Sequence, residues 1–351
     1  MQGAPAVRFC EVEGRHRVAY ASMGEGRDLV LVPGWLCHLE ELWSHPSAAS
    51  AREKFAATRR FTWYDRLGCG LSDREGFEPS VENDVAQLVA VMDAAGIERA
   101  DLIGYSFGAP PVALFATRYP ERVRRIVFYS AFARGKALTS PEGMEALKQL
   151  VRANWGLGSR TLATMLVPNG GSHDLRWFSR FQRLAATAEM AERLLDHEWT
   201  MDVRDVLPEV KAPSLVLHNR HDRAVPLSAG REIAALVPGA ELHILEGNEH
   251  DPFIRDSGRV VETILDFVDG RPIGTPPPAT VEPEPLTERE REVLALIGHG
   301  ATNKEIARRL GITVATVERH VTHIYGKIGA RGRADAAVRA VTMGLASASS
   351  S

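Results

Sequence analysis

Two kinds of apolar pattern alternate along the first part of this chain. Leu29-Val30-Leu31-Val32, Phe61-Thr62-Trp63-Tyr64, Leu102-Ile103 and Val123–Tyr129 are short, nearly continuous apolar runs of the kind that fills a buried strand. Between them lie stretches with helical spacing. Val81, Val85, Leu88, Val89 and Met92 recur every three or four residues behind a capping Ser80, and Gly96 closes the segment. Residues 7–12 and 17–21 read as two strands of a hairpin about Glu13-Gly14. Strands alternating with helices predict a mainly parallel sheet covered on both faces.

From about residue 131 to residue 210 the strand signal disappears. Helical stretches rich in Leu, Met and Trp replace it at 144–155, 162–166 and 175–199. An all-helical insertion between strands predicts a lid over the carboxyl ends of the sheet. Its large apolar residues, Trp155, Met165, Trp177, Phe178, Phe181 and Trp199, are candidates to line an apolar ligand pocket together with Tyr105 and Phe253. Strand pattern returns at 214–218 and 242–245, and a helix over 254–268 closes the domain. Residues 271–285 carry six prolines and predict an extended spacer. The expected division is a domain over 1–270, a linker over 271–285 and a small helical domain over 286–345.

At 351 residues the chain is long enough for two domains. Its 44% hydrophobic and 25% charged content is that of an ordinary globular protein. No stretch approaches the roughly 20 apolar residues of a membrane span, and the first five residues have neither the basic segment nor the apolar core of a secretory signal. Cys10, Cys37 and Cys69 are odd in number and lack metal-like spacing. A cytoplasmic protein without a membrane partner is therefore expected. The formal net charge is −3. From residue 286 onward ten Lys/Arg stand against six Asp/Glu, a surplus of +4, so the remainder carries −7. That asymmetry points to an anionic partner for the basic end alone.

The candidate chemistry centres on Gly104-Tyr105-Ser106-Phe107-Gly108, where a strand breaks into a helix with one hydroxyl at the tip. Small neighbours two before and two after the serine leave room for a strained turn. Asp222 and His250 follow in loops after later strands. A serine hydroxyl is a poor nucleophile until a base takes its proton. His250 would be that base, and Asp222 would fix its tautomer and stabilise the imidazolium. The Phe107 and Trp35 N–H groups are the candidate oxyanion donors. His218/His221 and His320/His323 lack a convincing carboxylate or thiolate partner, so neither a metal nor another cofactor is expected.

The elbow, the Asp65-to-Ser72 phrase, Asp222-x-x-Val225-Pro226 and His250-x-Pro252-Phe253 together resemble the α/β-hydrolase superfamily over residues 7–270. Pro33-Gly34 departs from that family's usual His-Gly before the oxyanion donor, and Ala109-Pro110-Pro111 replaces a second glycine after the elbow. Ser106 at the apex argues against the branches that attack with a carboxylate, the epoxide hydrolases and haloalkane dehalogenases. Ester, lactone, thioester and carbon–carbon bond hydrolysis remain open.

In the basic end, Thr287 with Glu290 and Thr302 with Glu305 form two capping boxes, each opening a helix. Gly311-Ile312-Thr313 turns into a third helix, whose Val317, Val321, Ile324 and Ile328 form a buried stripe. This is a helix-turn-helix pattern. Leu286-Thr287-x-Arg289-Glu290, Asn303-Lys304-Glu305-Ile306-Ala307, Thr316-Val317-x-x-His320 and Lys327-Ile328-Gly329 closely resemble the LuxR-type (GerE) DNA-binding domain. The resemblance implies that the third helix enters a major groove of double-stranded DNA and that the last helix pairs two protomers on a palindromic site. Thr302, Lys304, Thr316, Arg319, His320 and Lys327 are the candidate DNA contacts, mostly to phosphates.

The expected protein is thus a homodimeric, DNA-binding transcriptional regulator. Its α/β-hydrolase domain would sense a small ester or lactone, with or without turnover. The alternatives are a serine hydrolase (esterase or lactonase) with an accessory DNA-binding domain, and an inert triad domain that serves only to dimerise.

Overall fold

The computed structural model describes residues 4–251, 253–254, 258–274, 286–328, 330, 332–343 and 345. Contacts divide the chain into two compact units, Met1–Thr275 and Pro276–Ser351. Of the proline-rich segment, residues 275–285 lie outside the described residues, as do Pro252 of the histidine loop and Gly329.

The first unit is built on an eight-stranded sheet. Its strands are β1 (Arg8–Val12), β2 (His16–Met23), β3 (Arg27–Val32), β4 (Arg59–Tyr64), β5 (Ala100–Tyr105), β6 (Val123–Tyr129), β7 (Ser214–Asn219) and β8 (Glu241–Leu245), in the order β1-β2-β4-β3-β5-β6-β7-β8. β1 and β2 form the expected antiparallel hairpin, and β2 pairs antiparallel with β4. Every other pairing is parallel.

Successive side chains of a strand point to opposite faces, and here both faces are covered. Val30, Val32, Leu102, Ile126 and Val216 pack under α3 (Val81–Ala94), α4 (Ala109–Arg118) and α9 (Leu227–Leu236). Leu29, Leu31, Ile103, Val127 and Leu215 pack under α2 (Pro46–Ala56) and α10 (Gly258–Asp269). Each such fully buried aliphatic side chain stabilises the fold by about 1.5–3 kcal/mol. This double covering is why the central strands read as apolar runs rather than alternations.

Three helices had no counterpart in the sequence reading: α1 (Leu39–Ser44), α2 and α9. In α2 the buried face is mostly alanine, Ala48 and Ala51 beside Phe55. So little contrast separates its faces that periodicity does not reveal it.

The insertion between β6 and β7 is helical, with α5 (Pro141–Ala153), α6 (Trp155–Leu166), α7 (Ser172–Ala185) and α8 (Ala188–Thr200). The single stretch expected over 175–199 is broken at Ala186. There the Trp155 indole N–H donates to the Ala186 carbonyl at 3.0 Å, and the Thr187 hydroxyl accepts from the Met190 N–H to start a new helix. Arg134 and Asp202 bridge at the base of the insertion.

The second unit holds α11 (Glu288–Gly298), α12 (Asn303–Leu310), α13 (Val314–Ile328) and α14 (Arg333–Thr342). Both capping boxes form, at Thr287/Glu290 and Thr302/Glu305. Gly311 ends α12 in the left-handed conformation with φ +64°, a position where a side chain would be strained. Val293, Leu294, Ile297, Ile306, Val317, Ile324, Ala336 and Ala340 make one core. Among the described residues no helix is long and apolar enough to cross a membrane.

Candidate functional site

β5 ends at Tyr105, and the chain turns through a single 3-10 turn, Ser106–Gly108, into α4. Ser106 itself has φ +51°, a conformation that costs a non-glycine residue of order 1–3 kcal/mol and is held by its surroundings. The glycines on either side serve close approach. A Cβ on Gly104 would lie 2.9 Å from the Ala109 Cα, and one on Gly108 would lie 2.3 Å from the Val32 carbonyl oxygen. Pro110 and Pro111 occupy the first turn of α4, where no intrahelical N–H is lost.

The loops after β7 and β8 bring Asp222 and His250 to this turn. The Ser106 hydroxyl donates to His250 Nε2 at 2.9 Å, and His250 Nδ1 donates to Asp222 Oδ2 at 2.9 Å. Asp222 Oδ1 is held by the backbone N–H groups of Ala224 (2.9 Å) and Val225 (3.0 Å), which leaves Oδ2 free for the imidazole. The His250 loop is anchored from the lid, since the N–H groups of His250 and Asp251 both donate to the Leu166 carbonyl at the end of α6. All three side chains are buried.

Burial opposes charge on both members of the pair, but each offsets that penalty for the other. Burial alone would lower His250; the Asp222 charge and hydrogen bond, with Asp251 and Glu198 behind them, hold it above the ordinary imidazole value. Burial alone would raise Asp222; His250 and the Val225 N–H hold it below the ordinary carboxylate value. Asp222 is therefore an anion that fixes the proton on Nδ1 and leaves Nε2 to accept the hydrogen bond of the Ser106 hydroxyl.

A second buried row, which sequence reading missed, ties the lid to the elbow. The Arg66 guanidinium lies 3.6 Å from the centroid of the Phe107 ring and donates to the Gly34 carbonyl at 3.4 Å. It also pairs with Asp84 at 2.7 Å, and Asp84 in turn bonds His197 of α8 at 2.9 Å. Arg66 thus touches both segments that carry the candidate oxyanion N–H groups, Gly34-Trp35 and Phe107. Asp84→Asn would leave the Arg66 charge buried without its counter-ion. It is expected to lower unfolding free energy by about 3–5 kcal/mol, read as the midpoint of urea unfolding. A midpoint equal to that of the parent protein would show the ion pair to be energetically idle.

The triad opens into a cavity of about 320 Å³ under the lid. Of the residues expected in its wall, Tyr105, Met165, Phe178, Phe181 and Phe253 are there. Trp155, Trp177 and Trp199 are not, and this corrects the expectation. Trp155 spends its indole N–H on Ala186 and packs edge-on against Trp35 at 6.2 Å. Trp177 stacks on Phe181 at 5.3 Å and meets the tilted ring of His45 at 4.4 Å. Trp199 packs into the lid's own core. Helical spacing places these rings on helices but does not say which face meets the cavity. Arg52, Glu198 and Asp251, which sequence reading did not single out, also line it. Among the described residues no cluster of His, Cys, Asp or Glu is arranged as a metal site.

In the second unit, Lys304 and Arg319 are exposed, and Thr316 and His320 are half-buried. Thr302 is exposed, with its hydroxyl engaged by Glu305. Lys327 is engaged within the unit. It is half-buried and pairs with Glu290 at 2.8 Å, the same carboxylate that closes the α11 capping box. Its ammonium therefore ties α13 to α11.

Residues 29–257 match the family model described as alpha/beta hydrolase fold. The chain belongs to that family. Residues 284–340 match the model for bacterial regulatory proteins of the luxR family, so this α/β hydrolase carries a LuxR-type domain whose family role implies DNA binding. The chain is 27% identical over 249 residues to a pyrrolizixenacetamide deacetylase of Xenorhabdus hominickii, a match covering 66% of this chain and 88% of that one. To a 2-hydroxy-6-oxo-6-phenylhexa-2,4-dienoate hydrolase of Burkholderia cepacia it is 33% identical over 195 residues, covering 50% and 67%. The crystal structure of an enol-lactonase from Burkholderia xenovorans superposes with a TM-score of 0.62 at 23% identity, over 75% of this chain and all of that one. That likeness speaks to the fold.

Proposed function

We propose that this protein is a DNA-binding transcriptional regulator whose hydrolase domain senses a small, largely apolar ester or lactone and hydrolyses it at Ser106. One observation carries the reading. A hydrogen-bonded Ser106–His250–Asp222 row opens into a mostly apolar cavity in a chain that also bears a LuxR-type domain. The two relatives in sequence named above are a deacetylase and a dienoate hydrolase, so their likeness supports hydrolytic chemistry without selecting a substrate.

In this reading a ligand carbonyl sits beside Ser106 Oγ. His250 Nε2 takes the hydroxyl proton as Oγ attacks, and the Phe107 and Trp35 N–H groups hold the developing oxyanion. His250 then gives the proton to the leaving oxygen. Water, activated by the same histidine, releases the acid from the acyl-serine. Occupancy of the cavity, or this slow turnover, changes the affinity of a homodimer for a palindromic site, with Lys304, Thr316, Arg319 and His320 on the DNA side.

The test is to select DNA sites from a random pool with the full chain and then to measure their Kd with and without a panel of esters and lactones. A ligand-dependent change of about fivefold or more supports sensing. If esters are hydrolysed but none moves the DNA affinity, the protein is primarily a serine hydrolase with an accessory DNA-binding domain. The assembled triad favours that second reading over an inert dimerisation platform.

The base must be neutral, so activity is expected to rise with pH through the folded-state pKa of His250. Because Asp222 holds that value above the ordinary 6.5, the acidic limb of kcat/KM for p-nitrophenyl acetate should have its midpoint above pH 6.5. A profile flat from pH 5.5 to 8 would remove His250 as the base.

A further inference from the structure

Within the cavity wall, one carboxyl has no partner. Glu198 sits in the last turn of α8, is 9% exposed and lines the same space as Ser106 and His250. Among the described residues no hydrogen bond or ion pair engages its carboxyl, on which His250 and Arg66 act only through their charge. The helix that carries it is fixed from both sides: His197 is bonded to Asp84, and Trp199 packs into the lid core. The backbone is held as well, since a Cβ on Gly135 would lie 1.8 Å from the Glu198 carbonyl oxygen. A carboxyl this deeply buried is destabilising without a partner, and the cavity it lines is mostly apolar.

We propose that Glu198 is a ligand-selecting residue, accepting a hydrogen bond from a hydroxyl or amide N–H carried on the acyl chain close to the carbonyl held at Ser106. This deepens the reading of Ser106 as the acyl-binding serine and rests on it for the placement of the carbonyl. An uncharged donor fits better than an ammonium. The charged and titratable groups whose charges reach Glu198 are His250 and Arg66. Asp84 and His197 stand next to Arg66, and Arg52, Arg223 and Asp251 lie elsewhere in the wall. Arg66 is already paired with Asp84, and His250 becomes a cation when it takes the serine proton. A ligand cation would compete with that imidazolium for the carboxylate.

Burial pushes the Glu198 carboxyl up to about 7, with His250 and Arg66 pulling the other way. It is a neutral acid below that value and a carboxylate above it. Both forms accept a hydrogen bond, and the carboxylate accepts the stronger one.

The experiment uses the full chain carrying Ser106→Ala, so that binding is read without turnover. The probes are p-nitrophenyl butyrate and p-nitrophenyl 3-hydroxybutyrate, titrated against the fluorescence of Trp35, which lines the cavity. With Glu198 intact, the hydroxy ester is expected to bind about tenfold more tightly at pH 8, and the preference should shrink at pH 6. Glu198→Leu should bring the two esters within about twofold of each other. Glu198→Gln should keep a smaller preference that no longer varies with pH, and this isosteric variant carries the test should Glu198→Leu not fold. Equal binding of the two esters, a preference that survives Glu198→Leu, or a pH dependence that survives Glu198→Gln each overturns the proposal. If the preference behaves as expected while the Ser106 protein hydrolyses neither ester, the selecting role stands and the hydrolase reading alone fails.

Discussion

Ser106→Ala is expected to lower kcat/KM for p-nitrophenyl acetate by at least about 10³-fold and to abolish covalent labelling by a fluorophosphonate probe. Without the hydroxyl, His250 has no proton to take. What remains is the binding and oxyanion stabilisation of Phe107 and Trp35, which acts on water alone. Stability should change little, because the substitution removes one small group whose partner, His250, is still held by Asp222. Intact-mass measurement with the parent protein as reference decides the matter. Stoichiometric labelling of the parent and none of the variant supports an assembled, open site. No labelling of well-folded parent protein would sink the catalytic claim and leave sensing by binding as the function of the domain. The same variant separates two modes of signalling. If DNA affinity still responds to ligand, turnover is dispensable. If ligand binds without response, the chemical step is part of the signal.

Ile324→Asp should unfold the second unit. Ile324 is fully buried at the centre of the core formed by α11, α12, α13 and α14, and an unpaired carboxylate there costs several kcal/mol. A domain this short has only a few kcal/mol in reserve, roughly 0.05–0.15 kcal/mol per residue. Binding to selected DNA should therefore fall by two orders of magnitude or more, and calorimetry should lose one transition. Fluorophosphonate labelling of Ser106 should persist, since the sheet unit has its own core. Retention of DNA binding would show that α13 is not held in place by this core.

The chemistry of both units lies in short phrases, and short phrases are legible. Gly104-Tyr105-Ser106-Phe107-Gly108 announces its turn because clearances of 2.9 and 2.3 Å at Gly104 and Gly108 admit no Cβ. Thr287 with Glu290 and Thr302 with Glu305 announce helix starts because the bonds that form them span three residues. Asp222 and His250 were legible through their placement after β7 and β8, for the strands themselves read as apolar runs. The α2 helix was not legible, because alanine gives its buried face little contrast.

What escaped the sequence reading shares one property: it depends on partners far apart in the chain. Arg66, Asp84 and His197 form one buried row across 131 positions. Lys327 has Glu290 of α11 within 2.8 Å, a partner 37 positions away. Trp155, Trp177 and Trp199 look like pocket walls until the lid helices pack and turn them elsewhere, while Arg52, Glu198 and Asp251 are turned into the cavity.

The sequence by itself determined the alternation of strands and helices, the elbow, the order of Ser106, Asp222 and His250 after successive strands, the helical insertion and the caps of the second unit. Each follows from interactions within a few residues or from a period of two or 3.6. Only the tertiary structure decided which face of each lid helix meets the cavity, which charges are neutralised, and which carboxyl is left without a partner. Those are questions of packing between distant segments, where a rotation of one helix by a single position exchanges the residues that face the cavity with those that face the core.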